Sequence, residues 1–111
     1  MASFINISGS SLRMIQGEGT EVDFNLQQQG GTIVGGSARF SGDSGVCTGS
    51  VSDTKVFVEV RWNGGPRGEY HGDLGLDGSL VGITFDANNP GTQAVWHSRT
   101  KNFNNNMIQT P

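Results

Sequence analysis

The chain has 111 residues, a net charge of −3 and only seven Lys and Arg, so it makes one domain without the clustered cations that tracking a phosphate backbone requires. Charged residues are 15% and hydrophobic residues 33%, with 18 glycines, which excludes a solvated disordered chain and fits a thin core of short strands. The single Cys47 excludes an internal disulfide, and no stretch is apolar for long enough to span a membrane as a helix.

No apolar run holds helical spacing for three turns, whereas period-two alternation recurs along the chain. It predicts strands at 3–7, 11–16, 20–28, 32–40, 46–52, 54–62, 67–75, 79–85 and 93–99. In the third, Val22, Phe24 and Leu26 alternate with Asp23, Asn25 and Gln27. In the fourth, Thr32, Val34, Ala38 and Phe40 are expected to share a side, interrupted by Gly36. Val56, Val58, Val60 and Trp62 then form one face of a strand whose other face is Lys55, Phe57, Glu59 and Arg61. Tyr70, Leu74 and Leu76 oppose Arg67, Glu69, His71 and Asp73. Such alternation marks strands with one buried and one wet face.

The connectors are short and made of turn residues: Gly17-Glu18-Gly19, Gly30-Gly31, Gly42-Asp43-Ser44-Gly45, Asn63-Gly64-Gly65-Pro66 and Asp77-Gly78. Short connectors imply antiparallel neighbours. The longest connection, Asp86 to Thr92, contains Pro90, which is expected to stop a strand. Residues 1–101 read as a single domain, and 102–111 as an Asn-rich tail or a last edge strand. Three hairpins repeat one pattern, in Gly31 to Gly35, Gly45 to Gly49 and Gly78 to Gly82: a turn glycine and a second glycine four positions on. A glycine inside a strand marks a bulge, a bend or a close backbone approach. Repeated this way, it predicts a sheet coiled into a small antiparallel up-and-down β-barrel of about eight strands, the alternative being a two-sheet sandwich.

Gly68-Glu69-Tyr70-His71-Gly72, followed by Asp77-Gly78-Ser79-Leu80-Val81-Gly82-Ile83-Thr84 and flanked by Val56–Trp62 and Ala94-Val95-Trp96, resembles the avidin and streptavidin type of small calycin-like barrel. The likeness to lipocalin-like barrels is looser. It implies the architecture. The first strands carry Phe4, Asn6, Ser8 and Ser10 instead of the tryptophan of that family, so no biotin-binding residue is carried over.

Chemistry-bearing residues are few. The two histidines, His71 and His97, lack metal-ligand spacing, Asp43, Asp53, Asp73, Asp77 and Asp86 form no alternating acidic loop, and no Gly-x-Ser-x-Gly elbow precedes a helix. No catalytic residue, metal or cofactor is expected. Arg67, Glu69, His71 and Asp73 share one face of a strand; they read either as a mixed-charge outer row or as the polar lining of a mouth. Trp62, beside Asn63, together with Tyr70 and with Trp96 beyond the Asn88-Asn89-Pro90 loop, offers apolar rings with a polar handle. Nine asparagines supply donors and acceptors in one group. Sugars present the matching surface, C–H patches ringed by hydroxyls.

The expectation is a non-catalytic carbohydrate-binding module using Trp62, Asn63, Arg67, Tyr70, His71, Asp73, Asn88, Asn89 and Trp96. The alternatives are a barrel holding a small, partly apolar molecule inside, an isomerase or cyclase using His71 with Asp73 or Glu69 inside the barrel, and a module that binds protein along a strand edge. A homodimer or homotetramer would cover the surface a thin core leaves. No secretion signal opens the chain, so a cytoplasmic location is expected, or secretion if a signal has been removed.

Overall fold

A computed structural model of the chain describes residues 3–7, 9–17, 19–65, 67–99 and 107–109. The strands are β1 (Ser3–Ile5), β2 (Gly9–Gln16), β3 (Thr20–Gln29), β4 (Thr32–Phe40), β5 (Asp43–Ser52), β6 (Lys55–Trp62), β7 (Arg67–Leu74), β8 (Leu80–Asp86), β9 (Asn89–Ser98) and β10 (Met107–Gln109). β2 to β9 follow one another as antiparallel neighbours, and β2 pairs with β9 as well as with β3, so eight strands close into a barrel. The up-and-down barrel read from the glycine-punctuated hairpins is the fold; the sandwich is not. No helix among the described residues is long and apolar enough to cross a membrane.

Alternation sorts the side chains into a dry inside and a wet outside. Val22, Phe24 and Leu26 of β3, Val56, Val58 and Val60 of β6, Met14, Cys47, Tyr70, Leu80 and Trp96 are all buried in one cluster. Outward positions on β2 and β3 hold Arg13 and Asp23, which pair at 2.5 Å. A barrel in a bilayer has the opposite arrangement, apolar outside and polar within.

Coiling the sheet brings backbones of adjacent strands together. A Cβ on Gly49 would overlap the Phe57 carbonyl oxygen, and one on Gly82 the His71 carbonyl oxygen. Both are the second glycine of the repeated hairpin pattern, which marks a close backbone approach in these two copies; in the third, a Cβ on Gly35 would meet only Gln27 Oε1, at 3.5 Å.

Three local expectations are corrected. In β4, Val34 is exposed at 51% while Ile33 and Ala38 are buried; Phe40, at the strand's last position, shares Ala38's parity yet is 43% exposed. The pairing of β4 with β5 shifts register between Ile33 and Ser37, and Gly36 takes a φ of 132° there. The bulge adds one residue, so inward parity passes from the odd position 33 to the even position 38. The β4–β5 turn is Ser41-Gly42, with φ of 47° and 84°, and β5 therefore begins at Asp43 and not at Val46. Pro90 lies inside β9 and does not end it. The β2 side of β9 is paired only from Trp96 to Ser98, so the proline sits where no β2 ladder bond is lost.

The end of the barrel ringed by the β3–β4, β5–β6 and β7–β8 hairpins is stopped by the chain itself. β1 pairs with β10, and Ile5 and Ile7 are buried at 0% and 2% exposure. The Gln28 side chain clamps this plug: its oxygen accepts from the Ile7 N–H at 2.8 Å, and its nitrogen donates to the Ile5 carbonyl at 2.9 Å. The Ile5 N–H donates to the Asp53 carbonyl at 3.2 Å. The tail expected at 102–111 thus contributes β10 to the plug, and residues 102–106 lie outside the described ones.

The tight glycines are directly testable. Gly82→Ala forces backbone apart and is expected to cost at least about 2 kcal/mol in urea unfolding. Gly35→Ala, whose Cβ would sit 3.5 Å from Gln27 Oε1, stays within about 0.5 kcal/mol of the parent. Equal effects would remove the steric account of the coil.

Candidate functional site

The opposite end, ringed by the β2–β3, β4–β5, β6–β7 and β8–β9 hairpins, is open. There a cup of about 210 Å³ is lined by Gln16, Trp62, Gly68, Tyr70, Thr84, Phe85, Asp86 and Ala94. Most are inward positions at strand ends: Gln16 follows Met14 on β2, Trp62 follows Val60 on β6, and Thr84 and Asp86 follow Leu80 on β8.

Tyr70 forms the floor. Its ring meets Phe24 edge-on at 5.2 Å and Trp96 at 6.1 Å, the buried layer on which the cup rests. The phenol donates to Gln16 Oε1 and is hydrogen-bonded to the Thr84 side chain. Burial pushes its pKa up from 10.0 to about 12, the Thr84 bond opposes that rise, and Cys47 beneath adds slightly to it. Cys47 is itself pushed by burial from 9.0 to about 12, which makes it an unreactive thiol.

Gly68 opens the cup. A Cβ there would lie 3.4 Å from the Trp62 indole nitrogen and 3.9 Å from Tyr70 Cε1, in the space between the two rings. Across the β7–β8 pair Gly68 stands opposite Asp86, whose Oδ1 accepts from the Asn88 N–H at 2.9 Å. Among the described residues no acceptor meets the Trp62 indole N–H, and nothing accepts from the Gln16 amide nitrogen.

The sequence-expected residues divide into three groups. Trp62 and Tyr70 line the cup. Asn63 and Asn88 lie on the turns that rim it, and Asn63 donates to Ser44 Oγ at 3.1 Å. Asn89 begins β9 at the same rim. Trp96 is one layer below: it is buried, donates from its indole to the Ile83 carbonyl at 2.9 Å, and packs against Gly72, where a Cβ would come within 2.5 Å of its ring.

Arg67, His71 and Asp73 face the other way. Tyr70, on the same strand, points inward, so strand parity puts this row on the barrel's outer surface. His71 Nε2 meets Glu69 Oε1 at 2.9 Å, and its ring lies between Phe57 and Phe85, with centroids at 4.9 and 5.6 Å. Asp73 pairs with Lys55 at 3.0 Å; the Thr54 side chain, then Lys55 and the Leu74 N–H, hold its carboxyl below the usual range. A His71–Asp73 or His71–Glu69 pair acting inside the barrel has no geometric basis.

Gln16, Gly68, Thr84, Asp86 and Ala94 escaped the sequence reading. The signal was there: a polar residue or glycine at inward parity within the last turn of pleat of a strand marks a lined opening. No family model, no curated protein and no solved structure matches the chain. The barrel architecture is compatible with the calycin-like type that the sequence resembles, and no family is assigned.

Tyr70 and Cys47 hold their protons more tightly folded than unfolded. Their stabilisation is complete below pH 9, and it declines as pH rises, first through the thiol's unfolded value and then the phenol's, towards 12. Urea midpoints are expected to fall from pH 9 upward, less steeply in Tyr70→Phe and in Cys47→Ala. Ultraviolet titration of Tyr70, the single tyrosine, checks the cause: a midpoint near 10 in the folded protein would refute it.

Proposed function

We propose that the protein is a cofactor-free binding module whose open cup takes one small hydroxylated ring, a single sugar residue. The observation that carries this reading is the cup's make-up: an indole whose N–H meets no acceptor among the described residues on one wall, and a floor of phenol, amide and hydroxyl. An indole offers apolar surface to C–H groups and a donor to a hydroxyl oxygen. Gln16 adds two amide hydrogens, and the Thr84 hydroxyl, whose proton goes to the Tyr70 phenol, adds acceptor lone pairs. The volume, about 210 Å³, equals roughly seven waters, the size of one ring with its substituents.

Packing weighs against the other interior reading, a deeper, mostly apolar ligand. Below Tyr70 the barrel is filled by Phe24, Val58, Val60, Met14 and Trp96, so a ligand enters one layer only. The avidin-type resemblance belongs to this reading as a shared design, a small barrel admitting a ligand at one end, without the biotin contacts.

Calorimetry against a panel of free monosaccharides tests the proposal. Binding is expected in the parent, and Trp62→Ala is expected to weaken it at least about tenfold. Gly68→Val, which fills the gap between the rings, abolishes it, while Gly68→Ala confirms that the position tolerates a Cβ. His71→Ala, on the outer face, leaves affinity unchanged. A panel without binders, or binding lost in His71→Ala and kept in Gly68→Val, defeats the reading.

Pairing of copies is a second proposal. Val81, Ile83 and Val95 are exposed at 41%, 38% and 66% and form an apolar patch across β8 and β9, bordered on β7 by His71, whose ring lies between Phe57 and Phe85. A two-fold axis would set this patch against itself. Sedimentation equilibrium is expected to give a mass above the 11.8 kDa of one chain, returning to it in Ile83→Lys. A parent mass of one chain refutes the pairing.

A further inference from the structure

We propose that the ring held in the cup is one unit of a longer saccharide chain, whose next unit leaves sideways over the β2–β3 hairpin; this rests on the sugar-binding reading above. The argument is one of wall height. The residues that line the cup come from β2, β6, β7, β8 and β9, and none of the described residues of β3, β4 and β5 is among them. β2 contributes Gln16, its last residue, and then turns back through Gly17 and Gly19 into β3, where Thr20 stands opposite Gln16.

On the other side of the seam the wall is taller. The Gly17 N–H donates to the Val95 carbonyl at 2.9 Å, the last bond between these two walls among the described residues. β9 extends beyond it from Ala94 back to Asn89, up to about 20 Å of strand at about 3.3 Å per residue. β8 accompanies it, with Asp86 opposite Asn89. A low hairpin therefore stands directly beside a high one, and the step between them is a notch in the rim.

The notch has room for a second ring. Gly17 and Gly19 carry no side chain, and a Cβ on either would meet nothing within 4 Å. Thr20, at the same parity as the inward Val22, is exposed. Along the notch runs the edge of β9 that β2 leaves unpaired, and its N–H and C=O groups can give to and accept from hydroxyls. A ring seated over Tyr70 has Trp62, Thr84 and Ala94 around it, so the side with an open path is the one towards the low hairpin. A free monosaccharide leaves the notch to water, whereas a chain lays its second ring there.

Calorimetry on the intact protein with D-glucose, D-mannose and N-acetyl-D-glucosamine, each against its β-1,4-linked trisaccharide, tests this. Three equivalent rings raise affinity about threefold by number alone; contacts in the notch are expected to bring at least about tenfold for the sugar that binds. In Thr20→Trp, which fills the low side of the rim, the trisaccharide's advantage is expected to fall to about threefold, with the monosaccharide's affinity and the melting temperature unchanged. Gly17→Asn crowds the same notch at a φ of 50° that asparagine adopts, and it repeats the test if the indole destabilises the hairpin. A parent advantage of about threefold or less overturns the chain and leaves the sugar reading standing. No binding of any of these sugars by the folded parent overturns both. A tenfold advantage that persists in both variants overturns the exit over the β2–β3 hairpin.

Discussion

The closure of the barrel rests on a short seam. β2 and β9 pair through Met14–Ser98, Ile15–His97 and Gln16–Trp96 only, whereas β6 and β7 pair through seven positions. Without that seam the eight strands are a curled open sheet with two bare edges, and the buried faces of β2 and β9 lose each other. The seam also sets what stands at the open end. Its last position fixes Gln16 beside Trp96, which brings the amide within reach of the Tyr70 phenol from the far side of the barrel. Where the seam stops, the first half of β9 has no β2 partner, and Ala94 opens onto the cup.

A polar layer in an apolar barrel asks for an explanation. Tyr70, Gln16 and Thr84 come from three strands, and their side chains satisfy one another just above the Phe24–Trp96 layer. Three aliphatic side chains would fill the same space and bury more apolar area. A hydrogen-bonded layer of this kind adds less stability than it adds constraint on which strand ends meet. It also ends the dry core at a defined depth, so that the space above is wet and hydrogen-bonding. The closed end is built differently: Ile5 and Ile7 carry the core out to the rim, and Gln28 satisfies the backbone groups that this costs. One end is a stopper and the other a cup.

How much of this is legible in the residues follows from what each depends on. Strand parity depends on neighbours in sequence, so Val56–Val60 and Tyr70 read correctly as inward, and the row from Arg67 to Asp73 as their opposite. Parity fails where an inserted residue shifts it, and Gly35-Gly36 looks like any other glycine pair until β5 is laid beside it. Pro90 breaks a strand only if its missing N–H faces a partner. That is decided by where β2 ends, some 75 residues earlier in the chain. The two tryptophans are alike in sequence, each at a strand end beside turn residues. Register separates them: Trp96 lies over Gly72, which leaves room for the whole indole within the core, while Trp62 lies beside Gly68 at the lip.

Gly72 and Gly68 show how one strand serves both ends of the problem. Both sit at inward positions of β7, with Tyr70 between them. The absent side chain at Gly72 is replaced by a protein ring, and the result is core. The absent side chain at Gly68 leaves a space that, among the described residues, only the edges of the Trp62 and Tyr70 rings approach. The row on the other face of β7 cannot reach that gap, because successive side chains of a strand diverge to opposite sides of the sheet. The open end is therefore furnished by the inward set, the Trp62 and Tyr70 rings with Gln16 and Thr84 beside them, and the outer row of β7 has no part in it.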